Sequence, residues 1–160
     1  METTINKVLV PIDFSDYSKS ALRYAVNFAK SFNAEIILIY VVEPVIYPRD
    51  FSMGQIAMPS INTEWDDRAK DELQKLAKSE IIGAVKVKTI IKTGKPFVEI
   101  IETAKEENVD LIIIATHGRS GVEHILFGST AEKVVRKAPC PVLTLREPLK
   151  GFDYKEGMKK

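Results

Sequence analysis

Between residues 111 and 138 the chain places Thr116, His117, Gly118, Gly121, Gly128, Ser129 and Thr130, all small or hydrogen-bonding. They follow five consecutive apolar residues, 111–115, of the kind a buried strand carries. They precede Ala131, Val134, Val135 and Ala138, an i, i+3, i+4, i+7 stripe that predicts a helix packed on a sheet. A strand, a glycine-punctuated loop and a helix N-terminus together hold phosphate, because amides without intrahelical partners point at the ligand and the helix dipole favours negative charge. Glycine lets the backbone come close to such a ligand with no Cβ in the way.

Two readings of the helix start stand side by side. In one, Ser129 caps the helix and Glu132, three residues on, completes a capping box. In the other, the amides over residues 128–131 hold an anion, and Glu132 in the first turn offsets part of their field. Asp13 has a similar pair of roles, accepting hydrogen bonds from a ribose or binding a metal on the one hand, capping the next helix on the other. His117 is a donor to a phosphate or a plain loop residue, and His124 reads as helix surface. Lys95 after Gly94 is no P-loop, since Pro96 occupies the Ser/Thr position. The chain has no G-x-G-x-x-G, no G-x-S-x-G, no clustered His/Cys/Glu ligand set and no nucleophile beside a base, so no catalytic residue or metal ligand is assigned. A hydrolase would have to activate water with Asp13 or His117.

These residues need a scaffold, and the rest of the pattern supplies one. Residues 8–12 form a short apolar run with Pro11 at its end, where a missing N–H does no harm. Asp13-Phe14-Ser15-Asp16 is rich in capping residues. Ala21, Leu22, Ala25, Phe28, Ala29 and Phe32 then recur at helical spacing, up to Asn33. A second apolar strand covers 35–42. Residues 43–60 carry Pro44, Pro48, Gly54 and Pro59 with neither period, a length that in a compact domain marks a functional or mobile loop. Trp65, Ala69, Leu73, Leu76 and Ala77 restore helical spacing, and Val85, Val87 and Thr89 alternate with Lys86 and Lys88 as a strand with one wet face. Pro96 suits a first helical position ahead of Phe97, Ile100, Ile101 and Ala104. Pro139 and Pro141 flank Cys140 before a last short strand, Val142, Leu143, Thr144 and Leu145.

Strand and helix alternating five times predict an α/β fold with an open five-stranded parallel sheet and helices on both faces, Rossmann-like. The wet strand and the proline-flanked strand belong at the edges, which gives the order 3-2-1-4-5. In that order ligands bind between strands 1 and 4 at their carboxyl ends. Asp13 and the segment Ala115-Thr116-His117 both fall there. A single domain over residues 1–147 and a polar tail over 148–160 are expected.

Composition narrows the classes. The chain has 160 residues, one cysteine and a formal net charge of +1, which exclude an intrachain disulfide and offer no basic field for nucleic acid. The N-terminal stretch lacks an apolar signal core, and no apolar run approaches the ~20 residues of a membrane span, so a cytoplasmic protein without membrane or nucleic-acid partners is expected.

The glycine spacing resembles the nucleotide-binding branch of the universal stress protein family. That signature is glycine, two residues, glycine, nine residues, glycine, then serine or threonine. Here it reads Ala115-Thr116-His117-Gly118, nine residues, then Gly128-Ser129, with Ala115 in place of the first glycine and its methyl group near the phosphates. Val8-Leu9-Val10-Pro11-Ile12-Asp13-Phe14-Ser15 and Ala138-Pro139-Cys140-Pro141-Val142-Leu143 extend the likeness. The resemblance implies an adenine nucleotide, ATP with Mg or Mn, across strands 1 and 4. By analogy Pro11, Ile12 and Asp13 flank the adenosine and Val41 meets the adenine through its backbone. Ala115, Thr116, His117, Gly118, Arg119 and Gly121 would wrap the phosphates from one side, and Gly128, Ser129 and Thr130 from the other. It further implies a homodimer through Val142, Leu143, Thr144 and Leu145. The expected function is an ATP-binding regulatory, stress-response protein in which occupancy biases the 43–60 loop. A slow ATP hydrolase and a nucleotide-free dimeric scaffold, which Ala115 and Glu132 permit, are the alternatives.

Overall fold

A computed structural model describes residues 4–44, 63–118 and 127–146, the side chains of 63–66 excepted. Arg119, Gly121, His124, most of the 43–60 loop and the 148–160 tail lie outside the described residues, as does the Trp65 side chain.

The elements are β1 (Lys7–Pro11), α1 (Asp16–Phe32), β2 (Glu35–Val42), α2 (Thr63–Glu80), β3 (Val87–Thr93), α3 (Pro96–Glu106), β4 (Leu111–Ala115), α4 (Ser129–Lys137) and β5 (Val142–Leu145). All strand pairs are parallel and the order is β3-β2-β1-β4-β5. Parallel strands at the centre are buried on both sides, which is why β1, β2 and β4 read as apolar runs and not as alternations. Val8, Val10, Ile36, Leu38, Leu111 and Ile113 face Ala21, Leu22 and Ala25 of α1 and Leu73 and Leu76 of α2. Leu9, Ile37, Ile39, Ile112 and Ile114 face Ile100 and Ala104 of α3 and Ala131 and Val134 of α4.

Local signals mark the ends. Pro11 is the last residue of β1 and Pro96 the first of α3. Asn33 closes α1 in the left-handed conformation, φ 54°, which asparagine tolerates better than most residues. At the sheet's N-terminal end Asp110 Oδ2 accepts the amides of Asn6 and Lys7 at 2.8 and 2.9 Å, tying the start of β4 to the start of β1.

Three expectations need correction. The third strand begins at Val87, after the expected Val85, and continues to Thr93. The Lys/Val alternation is only its entry, because Ile90 and Ile91 pack on opposite faces and continue the ladder with β2 to Val42. In α4, Val135 is exposed, since one short helix on one sheet face buries a stripe only as wide as Ala131 and Val134. Phe32, at the end of α1, is likewise exposed and stacks on Phe28, centroids 5.1 Å apart.

Candidate functional site

Where β1 and β4 diverge, the chain turns into α1 on one side and into the glycine segment on the other. Asp13 follows β1. Its Oδ1 accepts the Ser15 amide at 3.0 Å and the Ser15 hydroxyl, an Asx-turn built on Asp-x-Ser. Ser15 is the N-cap of α1, its Oγ accepting the Ser18 amide at 3.2 Å. Asp13 therefore does not cap the helix itself; it braces the residue that does. Phe14 between them has φ 63°, a conformation costing on the order of 1 kcal/mol in a residue with a Cβ, and its ring lies 4.9 Å from that of Tyr40.

The other carboxylate oxygen points across the crevice. A Cβ added to Gly118 would lie 2.5 Å from Asp13 Oδ2. Residues distant in sequence, one after β1 and one after β4, are thus in contact, and a side chain at 118 would have to displace the Asp13 carboxylate. Gly128 returns to the same place. Its amide donates to the Thr116 carbonyl at 2.7 Å, and a Cβ there would sit 3.2 Å from that oxygen. Both glycines border the end of β4.

Gly128, not Ser129, is the N-cap of α4, and, being glycine, it makes no side-chain capping bond. Ser129 is the first helical residue and is exposed, with Thr130 half-buried after it. The capping box, one of the two readings of this helix start, does not form, since Ser129 is already inside the helix. The Glu132 carboxylate instead accepts from Arg136 Nε at 3.1 Å, one turn along, which draws its charge toward a cation and leaves the helix entrance open. Helix geometry leaves the first amides of α4 without intrahelical partners, and the first such bond runs from the Glu132 amide to the Gly128 carbonyl.

The remaining residues divide by whether their side chains reach the crevice. Ile12 is buried in the core under α1, so only its backbone is at hand, and its amide donates to the Ile39 carbonyl at 2.8 Å. Val41 lies on β2 past the last β1 pairing, Pro11 with Ile39, which puts it at the rim. Ala115 is buried. Thr116 is buried as well, and its side chain turns to the last residue of β5 and to the His117 ring. His117 is half-buried and lies against Tyr17 of α1, ring centroids 5.5 Å apart. Sequence reasoning named Ser15 only as one of several capping residues and missed Tyr17. The Asp-x-Ser turn is a local signal for the first, whereas the second depends on β1 and β4 being neighbours.

The charges are mixed by design of the backbone: amides from α4 on one side and one carboxylate, Asp13, on the other. Among the described residues no three His, Cys, Asp or Glu side chains gather as a metal site. Among the described residues placed at this crevice, Asp13 is the carboxylate a divalent ion could use, and a site with one protein carboxylate suits an ion held mainly by other ligands, as Mg usually is. Cys140 lies at the opposite end of the sheet, ahead of β5, where burial first and the Asp110 carboxylate second push its thiol above the ordinary range. It is no nucleophile for this crevice.

A model described as the universal stress protein family matches residues 4–146. The chain belongs to the universal stress protein family. Among curated relatives, universal stress protein MJ0531 of Methanocaldococcus jannaschii is 36% identical over 149 residues, 93% of this chain and 86% of that one. Among solved universal stress protein relatives, MJ0577 of the same organism superposes with a TM-score of 0.77 at 30% identity, covering 91% of this chain and 99% of its own. A universal stress protein solved in complex with cAMP shares the fold, with a TM-score of 0.64 at 23% identity, covering 91% and 99%. No helix among the described residues is long and apolar enough to cross a membrane.

Proposed function

We propose that this chain binds an adenine nucleotide, ATP with Mg or Mn, between the ends of β1 and β4, and acts as a regulatory, stress-response protein in the cytoplasm. The observation that carries this reading is the contact of Gly118 with Asp13 Oδ2, where any Cβ would have to push aside the carboxylate that follows the first strand. Asp13 suits a ribose hydroxyl or a phosphate-borne cation; Ser129 and Thr130 suit the phosphates, while the Gly128 amide is taken by the Thr116 carbonyl and Gly128 contributes a close approach with no Cβ. The solved relative that holds cAMP is a protein of this fold with an adenine nucleotide, which accords with the reading. Titration calorimetry with MgATP tests it: saturation well below millimolar is expected, and no saturation up to millimolar overturns it. Nucleotide recovered from the purified protein separates a binder from a slow hydrolase, since intact ATP is expected and ADP with turnover points to the enzyme.

We also propose that a second copy pairs along β5. The Pro141 and Leu145 carbonyls accept from Ile112 and Thr116 of β4, so in a parallel ladder the backbone groups of Val142 and Thr144 face outward. Thr144→Pro removes an outward N–H and no β4 bond. It is expected to give a monomer by sedimentation velocity with unchanged far-ultraviolet dichroism, and a persisting dimer would rule out edge pairing.

A further inference from the structure

Charge is segregated around α1. The helix packs over β1 and β4, with α2 beside it over β2 and β3. At about 100° per residue, Asp16, Lys19, Arg23 and Lys30 fall in one sector roughly 60° wide. Arg23 meets Glu80 of α2, Nε to Oε2 at 3.0 Å, so that sector looks toward α2. Tyr17, Ser20, Tyr24, Phe28 and Ser31 fall in a second sector roughly 80° wide, centred on Tyr24. Tyr17 meets the His117 ring beyond β4, so this uncharged sector looks the other way, toward β5. Tyr24 at its centre is 60% exposed.

The opposite face of the sheet repeats the pattern. Lys133 and Lys137 of α4 reach the Phe97 ring of α3, 4.8 and 5.7 Å from its centroid. Val135 projects about 180° from them and is 45% exposed, so it borders β5 from below. Between the two helices lie the half-buried Leu143 and Leu145 on the α1 face and Val142 on the α4 face. Interfaces are depleted of charge at their centre and enriched in tyrosine.

We propose that the uncharged flank of α1, anchored on Tyr24, is a contact surface for a second copy of this chain. The inference rests on the β5 pairing proposed above and extends it from the strand to the helices. A two-fold axis normal to the sheet sets β5 antiparallel to its copy and keeps like faces together, α1 toward α1 and α4 toward α4. Such a contact puts a surface opposite itself, so a charged flank would repel its own copy; the α1 sector facing β5 carries no charge. With strands spaced ~4.8 Å apart, the two α1 axes would lie about 19 Å from each other. Helices in direct contact lie at about 8–10 Å, so the helices frame a trough floored by Leu143 and Leu145. Long side chains on the two flanks fill it, and Tyr24 is the long, exposed one.

Sedimentation equilibrium of the full chain over a range of concentrations tests this. Tyr24→Ala is expected to weaken the dimer at least tenfold, and Tyr24→Glu, which sets two carboxylates face to face, about a hundredfold or more. Far-ultraviolet dichroism should be unchanged, since so exposed a side chain supports little of the core. Ile82, 72% exposed ahead of β3 at the other edge of the sheet, serves as the control, and Ile82→Ser should leave the dimer intact. Equal weakening by Ile82→Ser would mean general apolar stickiness and overturn the proposal. An undiminished dimer in both Tyr24 variants, with Thr144→Pro monomeric, would overturn the flank contact and leave edge pairing standing. A dimer that survives Thr144→Pro and is lost in Tyr24→Glu would defeat edge pairing and keep the flank. A wild type that stays monomeric up to millimolar concentration would defeat both.

Discussion

Replacing Gly118 by alanine is expected to weaken MgATP binding at least tenfold and to lower stability by about 1–3 kcal/mol, the range for overpacking a filled site. The added methyl would meet Asp13 Oδ2 at 2.5 Å, closer than any Cβ tolerates. A long surface side chain would swing away, but Asp13 is short and its other oxygen is held by the amide and hydroxyl of Ser15. Ser15 in turn caps α1, so moving the carboxylate disturbs the start of that helix and the crevice together. Urea unfolding and calorimetric titration on the same preparation separate the two effects. Asp13→Ala combined with Gly118→Ala removes the clash, so the double variant should be little less stable than Asp13→Ala alone, a coupling that additive sites would not show. Unchanged affinity in Gly118→Ala would move the ligand away from this contact.

Much of this architecture is legible in the residues because the signals are local and redundant. Strand order followed from which strands are wet or proline-flanked, and the ends at Pro11, Asn33 and Pro96 follow from φ preferences that act within a residue or two. Boundaries failed where tertiary pairing took over. The ladder with β2 carries β3 to Thr93, and nothing in the Lys/Val alternation reports the length of its neighbour. At the candidate site the glycine spacing located the segment but not its side-chain directions. Whether Ser129 or Gly128 begins α4 turns on one φ/ψ pair, and Gly128 at φ −66°, ψ 149° takes the cap in a conformation any residue adopts. That Thr116 faces β5 and not the crevice could not be read at all, since it depends on where the last strand ends beside β4.

That shift of one residue at the α4 start turns Ser129 into a clean probe. As an N-cap its loss would cost about 1 kcal/mol of stability, and ligand effects would be confounded with helix fraying. As the first helical residue, exposed and capping nothing, Ser129→Ala should leave stability within ~0.5 kcal/mol of wild type. Ser129 belongs to the first turn of the helix, whose amides have no intrahelical partners, and a phosphate oxygen held there would accept from the hydroxyl and an amide. A hydrogen bond to a charged group is worth about 1.5–3 kcal/mol, so Ser129→Ala should weaken MgATP binding by roughly ten- to a hundredfold. Because the substitution removes a donor and no backbone amide, the loss should be a change in affinity with stoichiometry preserved. Equal affinities for variant and wild type would remove this hydroxyl from the site and leave the α4 amides to hold the anion alone; a matching fall in the urea midpoint would mean that the side chain caps the helix after all.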